Sequence, residues 1–391
     1  MPKEAMQWEA KQKEEKLSES TASHPVAVAD SVSTRQKKVL VRRFLVDHSQ
    51  RIRRALQIAF LALNGWIGVQ FVLWVRSFAG GGNGVYRARP AGVDGWLPIE
   101  GLMNLRYALV TGHIPAIHPS AMVLLCVFLL SSMLVKKSFC SWLCPVGTVS
   151  EYLWKVGRKL IGRSVTLPRW LDLSLRSLKY LLLAFFVFIV FTMSVEELGG
   201  FLGSPFAILA DVKMLDFFRN IGVVGVLVIA ALIGLSVFVQ NFWCRILCPY
   251  GALMGIVSTC SPIKIRRDAD ACIDCGKCSK ACPSHLPVDR LVQVRSFECT
   301  GCMECVAVCP AENALQLSLP PWPASAVKGT PAEATQLRWQ RRALKPQVVA
   351  VVLAIVFFGL IGVARATGHW QTNIPREVYM RMLPNADSYE H

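Results

Sequence analysis

The segment CIDCGKCSKACPSHLPVDRLVQVRSFECTGCMECVAVCP, residues 272–310, sets eight cysteines in two runs of one spacing. Cys272, Cys275, Cys278 and Cys282 follow C-x2-C-x2-C-x3-C into Pro283. Cys299, Cys302, Cys305 and Cys309 repeat the pattern into Pro310. This is the bacterial ferredoxin pattern for two [4Fe–4S] clusters, in which the fourth cysteine of each run ligates the other run's cluster. Three closely spaced thiolates wrap three corners of a cubane, and the distant fourth ties the halves together. Cys272, Cys275, Cys278 and Cys309 are therefore assigned to one cluster, and Cys299, Cys302, Cys305 and Cys282 to the other. Ile273, Val306 and Val308 are expected to keep water off the sulfurs. C-x2-C pairs also bind zinc, although zinc modules rarely show the triple-plus-Pro run twice. A disulfide framework needs an oxidising compartment.

Around this segment the chain is written for lipid. Of its 391 residues 53% are hydrophobic, and the mean hydropathy is +0.40, too apolar for an ordinary soluble single-core enzyme. Five stretches are long and apolar enough to span roughly 30 Å of hydrocarbon: about 55–75, 119–135, 178–194, 221–240 and 347–364. Lys and Arg crowd the stretch before the first and the loop between the second and third, while the alternate loops carry Asp94, Glu100, Glu196, Glu197, Asp211 and Asp216. The positive-inside rule then places the N-terminus, residues 136–177 and residues 241–346 in the cytoplasm. The expected fold is an α-helical integral membrane protein of about five transmembrane helices, N-terminus in and C-terminus out. An α+β ferredoxin-like unit is inserted on the cytoplasmic side.

The expected domains are a polar, disordered N-terminus (1–50), a four-helix membrane domain (51–260), the ferredoxin-like unit (261–318), a linker (319–346), a fifth transmembrane helix (347–366) and an extracytoplasmic tail (367–391). The formal charge of +17 tracks the membrane sides and is assigned to anchoring near anionic headgroups. Nucleic-acid binding is not expected, because no recognition motif accompanies the charge. A reducing compartment agrees with 14 cysteines kept as thiolates.

The membrane part repeats itself. FCSWLCPVG (139–147) and WCRILCPYG (243–251) share aromatic-C-x3-C-P-x-G, each just after an inward-going span, as a duplicated two-helix unit would give. Cys140, Cys144, Cys244 and Cys248 are thereby held at one depth. If each span continues as a helix, positions i and i+4 share a face, and four sulfurs suffice for one further cubane or one tetrahedral metal. Packing as small apolar residues is the competing reading. Cys126 and Cys260 have no partner at ligand spacing and are expected in the core. Trp142, Trp154, Trp170 and Trp243 are expected in an aromatic belt. His118, just before the second span, offers a proton acceptor near neutral pH, with an interfacial role as the alternative. No constellation of acid, base and nucleophile stands out.

From about residue 50 onward the chain resembles the polyferredoxin-type membrane electron-transport family of NapH, the C-terminal half of NosR and the copper reductase CcoG. The resemblance is carried by RPAGVDGWLPIEGLMNLRYALVTG (89–112), KKSFCSWLCPVGT (136–148), LPRWLD (167–172), DVKMLDFFR (211–219), CRILCPYGALMG (244–255), the ferredoxin runs and HWQTNIPREVY (369–379). It implies a multi-pass protein of the bacterial cytoplasmic membrane relaying single electrons between the quinone/quinol pool and a redox partner protein, as a quinol dehydrogenase-type subunit would. The alternative it leaves is a CcoG-like metal-ion reductase or metalloenzyme-assembly factor on the cytoplasmic side. The flavin domain of NosR-type proteins and the immunoglobulin-like domain of CcoG-type proteins have no counterpart in this pattern, so covalent flavin is not expected and copper reduction is less supported.

Overall fold

The structure is a computed structural model that describes residues 42–43, 47–78, 87–162, 167–320 and 343–389. The expected polar N-terminus up to residue 41 and most of the linker, 321–342, lie outside the described residues.

Helices dominate, and proline sets many of their starts. α1 (Ser49–Arg76) precedes a 3-10 turn (Ala91–Trp96), α2 (Pro98–Thr111), α3 (Pro119–Leu134) and α4 (Pro145–Ile161). α5 (Arg169–Thr192), α6 (Val195–Leu202), α7 (Pro205–Ile208), α8 (Ala210–Arg219), α9 (Val223–Phe238) and α10 (Pro249–Val257) follow. Proline at the first helical position gives up an N–H that has no partner there anyway, so Pro98, Pro119, Pro145, Pro205 and Pro249 fix helix starts without loss.

α1, α5 and a later helix, Pro346–Ala366, are long and apolar enough to cross a membrane; α8 and α9, bent by 88°, would make a fourth. The second expected span is α3, at 16 residues too short to count as a crossing by length and composition, and the most enclosed, with Leu124, Leu125, Val127 and Phe128 buried against its neighbours. The third starts earlier than its hydropathy suggests, at Arg169 rather than 178, because its polar first turns have partners. Arg176 Nη2 donates to Ser284 O at 3.0 Å, and the Lys179 ammonium and Tyr180 hydroxyl both reach the Glu298 carboxylate at 2.7 Å.

The ferredoxin-like unit is closed by an antiparallel pair, β1 (Lys264–Arg267) and β2 (Leu315–Ser318), in register Lys264↔Ser318 to Arg267↔Leu315. Between the strands lie α11 (Lys277–Lys280) and α12 (Glu304–Ala307). Each is entered through a residue in the left-handed region, Gly276 at φ 68° and Met303 at φ 59°, a local trace of the twofold repeat. α13 (Pro346–Ala366) and α14 (Arg376–Met382) complete the chain.

One apolar core runs from Phe60, Phe128 and Leu353 of the long helices through Trp142 to Ile265, Val306 and Leu317 of the ferredoxin unit. Trp142 is therefore not in an aromatic belt: it is wholly buried, and its Nε1–H donates to Gly301 O at 3.2 Å. Trp170 does stand out, 71% exposed. Several cations expected at lipid headgroups are likewise enclosed. Arg53 of α1 forms a buried ion pair with Glu151 at 2.8 Å and reaches Glu304 of α12 at 2.8 Å. The Lys136 ammonium donates to the carbonyls of Arg295 and Ser296. These charges bind the helices to the ferredoxin unit. At the opposite end of α1, Tyr379 of α14 packs edge-on against Trp74 at 5.1 Å.

Candidate iron-sulfur and membrane cysteine sites

The two ferredoxin runs fold into two small cavities. One is lined by Cys272, Cys275, Cys278 and Cys309, the other by Cys282, Cys299, Cys302 and Cys305. Each cavity is lined by three cysteines from one run and one from the other. Their settings differ: Cys275 is exposed and Cys272 half-buried, whereas Cys282, Cys299, Cys302 and Cys305 are all buried. Burial, only partly offset by the charge of Arg53, pushes the Cys302 thiol up to about 11. A coordinating metal would displace that proton. Of the expected shielding residues Val306 is buried, but Val308 is 37% exposed and covers little.

The C-x3-C-P motifs are not α-helical. Phe139–Leu143 and Trp243–Leu247 are single π-helical turns, closed by Cys144 N–H to Phe139 O at 2.9 Å and Cys248 N–H to Trp243 O at 3.0 Å. The second cysteine of each motif leaves the helix in extended conformation and caps the next one, α4 or α10. The i, i+4 argument thus fails in detail: the wider turn and the break at Pro145 and Pro249 direct the sulfurs. π-turns of this kind concentrate at functional sites. The motif glycines have a steric reason. A Cβ on Gly147 would stand 2.3 Å from Cys140 O, and on Gly251 3.3 Å from Cys244 O. Gly251 N–H donates to Cys248 Sγ at 3.3 Å, so this sulfur sits at a helix N-terminus, where negative charge is favoured.

Both motifs open on one cavity of about 930 Å³, lined by Cys140, Cys144, Cys244, Cys248 and Cys302 at the ferredoxin end. Its walls are apolar: Phe60, Leu63 and Ile67 from α1, Leu182 and Phe186 from α5, Phe357 and Ile361 from α13. Tyr250 of the second motif and Lys137 also face it. Four cysteines lining one cavity, with the first cysteine's carbonyl in each motif crowded against the motif glycine, suit a compact metal–sulfur group. Of the remaining cysteines, Cys126 is half-buried, but Cys260 is exposed rather than in the core, because it lies in the 3-10 turn Ser258–Cys260 that leads out of α10.

His118 does not stand alone. At the N-terminus of α3, wholly buried, it places Nδ1 2.9 Å from Asp94 Oδ1. Arg89 pairs with Asp94 and with Asp211, at 2.6 Å to the latter, and Ser120 donates to Asp94. Burial works against the imidazolium, but Asp94 outweighs it and lifts His118 to about 9. Glu100 makes no hydrogen bond through either carboxylate oxygen, and burial raises it to about 8. Asp94, His118 and Asp211 present ligand atoms within 4.8 Å of one another, but the Arg89 guanidinium lies among them and supplies the positive charge. Residues 89, 94, 118 and 211 follow no common spacing and meet only in the fold.

Comparison with known proteins agrees with the cysteine geometry. A family model described as a 4Fe-4S binding domain matches twice, over residues 117–164 and 221–267, once across each C-x3-C-P motif. One described as a 4Fe-4S dicluster domain matches residues 264–310. YccM of Escherichia coli K12, whose name assigns it provisionally to electron transport, is 48% identical over 339 residues, 87% of this chain and 91% of that protein. The ferredoxin-type protein NapH of Escherichia coli K12 is 29% identical over 218 residues, 53% of this chain and 70% of its own. The regulatory protein NosR of Pseudomonas aeruginosa is 29% identical over 171 residues, 43% of this chain and 23% of NosR. No solved structure matches significantly. Cysteine cradles joined to long apolar helices define an iron–sulfur electron-transport protein of the membrane. This chain belongs to the polyferredoxin family that includes YccM and NapH.

Proposed function

We propose that the chain relays single electrons between the quinone/quinol pool and a redox partner protein, as a quinol dehydrogenase-type subunit of the bacterial cytoplasmic membrane. The observation that carries this is the apolar cavity that reaches from between the long helices to the four C-x3-C-P cysteines and to Cys302. A prenylated quinone suits such a cavity, and a one-electron carrier suits its end. Iron–sulfur clusters pass one electron at a time, which is the chemistry the bound groups supply.

In this reading Cys272, Cys275, Cys278 and Cys309 hold an outer cluster, and Cys282, Cys299, Cys302 and Cys305 an inner one. Cys140, Cys144, Cys244 and Cys248 hold a third metal–sulfur group. The chain's own residues do the rest: the glycines let backbone reach the sulfurs, Trp142 and Ile265 exclude water from the inner cradle, and Arg53 and Lys136 lock the ferredoxin unit onto the helices. The chain makes five crossings, with α3 and α9 short because they end in π-turns. The membrane domain (51–260), the ferredoxin unit (261–318), the fifth helix (347–366) and the outer tail (367–391) keep the orientation given by the positive charges.

The test is an anaerobic redox titration followed by electron paramagnetic resonance, with a quinol as reductant. The relay reading expects quinol to reduce the clusters. Clusters that stay oxidised until far below the potential of the quinone pool would contradict it.

A further inference from the structure

Lys137 stands between the two sets of cysteines. It is 3% exposed, yet it lines the cavity wall with Cys140, Cys248 and Gly251. Its ammonium lies where the glycines of α10 leave space, 3.6 Å from the position of a Cβ on Gly251 and 3.7 Å from one on Gly255. Its nearest counter-charge, Glu298 Oε2, is 3.9 Å away. That carboxylate is already held by the Lys179 ammonium and the Tyr180 hydroxyl, each at 2.7 Å. Close by, Asp172 is shared between Arg245 and Arg176. Each carboxylate thus serves two cations, and the enclosed region keeps a surplus of positive charge. A buried charge without its complement is costly, so an anion is expected beside it.

Four thiolates around an oxidised cubane carry about two negative charges, which is the complement this region lacks. We propose that Lys137 is the counter-cation of the metal–sulfur group held by Cys140, Cys144, Cys244 and Cys248, and that it raises the electron affinity of that group. Lys137 is a positioning residue: it ligates nothing and carries no electron. Reduction adds one negative charge beside a fixed positive one, so the reduced form is favoured and an electron leaving the cavity is drawn to this site before it passes to the inner ferredoxin cradle. The inference rests on reading the four cysteines as a metal site.

The experiment uses the full-length chain, purified anaerobically, as wild type, K137M and K137R. Iron and integrated spins are counted first, and the midpoint potential of each cluster signal is then measured. K137M is expected to keep its iron and to hold an electron at least tenfold less tightly at the four-cysteine group. That is about 60 mV for a one-electron couple, with the outer cluster unmoved and K137R restoring most of the shift. Full iron with every midpoint unmoved in K137M overturns the proposal. If K137M loses the group and K137R keeps it, charge is what holds it and the proposal stands; if both lose it, shape is what mattered and the proposal falls. Wild-type protein holding iron for the two ferredoxin clusters alone would overturn the four-cysteine reading itself, a result told apart from unmoved midpoints by the iron count.

Discussion

The two ferredoxin cradles have the same spacing and opposite surroundings. Around Cys272 and Cys275 the chain is open to solvent, while Cys299, Cys302 and Cys305 are enclosed by α1, the first π-turn and Trp142. The eight positions that make a cubane cradle are local, but what the cradle does depends on what packs over it. The open one meets the aqueous side, and the enclosed one faces the helices and their cysteines. In the proposed relay, a single pattern used twice would serve two different neighbours.

The comparison breaks most visibly at the enclosed cradle. Cys302→Ser is expected to remove the inner cluster, about four irons per chain, and to stop transfer between the cavity and the outer cluster; iron assay and cluster reduction by quinol check this. A Cys275→Ser variant that stopped quinol from reducing the inner cluster would reverse the assigned order.

Next in size is the clamp that encloses that cradle. Arg53→Met removes one of the two cations on the buried Glu151 carboxylate, which keeps Lys155 at 2.5 Å, and should cost about 2 kcal/mol, read as a lowered thermal unfolding midpoint in detergent, whereas Glu304, the more exposed partner, should matter less. At the far end of the helices, His118 sharpens the contrast between a clamp made of charge and one made of metal and sulfur. Its pKa, ordinarily 6.5, is raised to about 9 in the fold. Its stabilising charge is therefore fully present below pH 6.5 and lost as pH rises through about 9, an effect on the order of 3 kcal/mol. Thermal unfolding followed from pH 6 to 10 should show this loss added to the one that Glu100, raised to about 8, gives below that pH, and His118→Gln should remove the part between about pH 8 and 9. Smallest is Lys280→Gln beside the open cradle. Lys280 is exposed, and stability should stay within about 0.5 kcal/mol, measured by the same unfolding.

The gathering of the eight ferredoxin cysteines into two groups was legible because a cubane needs its ligands at fixed short spacings, and the same rule puts Cys309 beside the first run and Cys282 beside the second, where they line the two cavities. The twin C-x3-C-P motifs were legible as a pair, but not the π-turns that aim them, since spacing alone does not distinguish a four-residue α-turn from a wider one. Hydropathy found the long apolar helices and missed the polar start of α5, whose Arg176 and Lys179 are matched by Ser284 and Glu298 more than a hundred positions away. The same blindness to distant partners assigned Lys136 and Arg53 to headgroups and Trp142 to a belt. Charge on a basic loop reads as surface until the fold shows what it faces.

In the proposed relay the four C-x3-C-P cysteines hold a metal–sulfur group between the apolar cavity and the inner cradle. The most direct test of this is to count iron and integrated spins per chain in anaerobically purified wild type and in a Cys144→Ser/Cys248→Ser variant. About twelve irons, falling to about eight in the variant while the ferredoxin signals persist, is the result expected for three cubanes. About eight in both would contradict it and leave the cavity ending on four ordinary thiols.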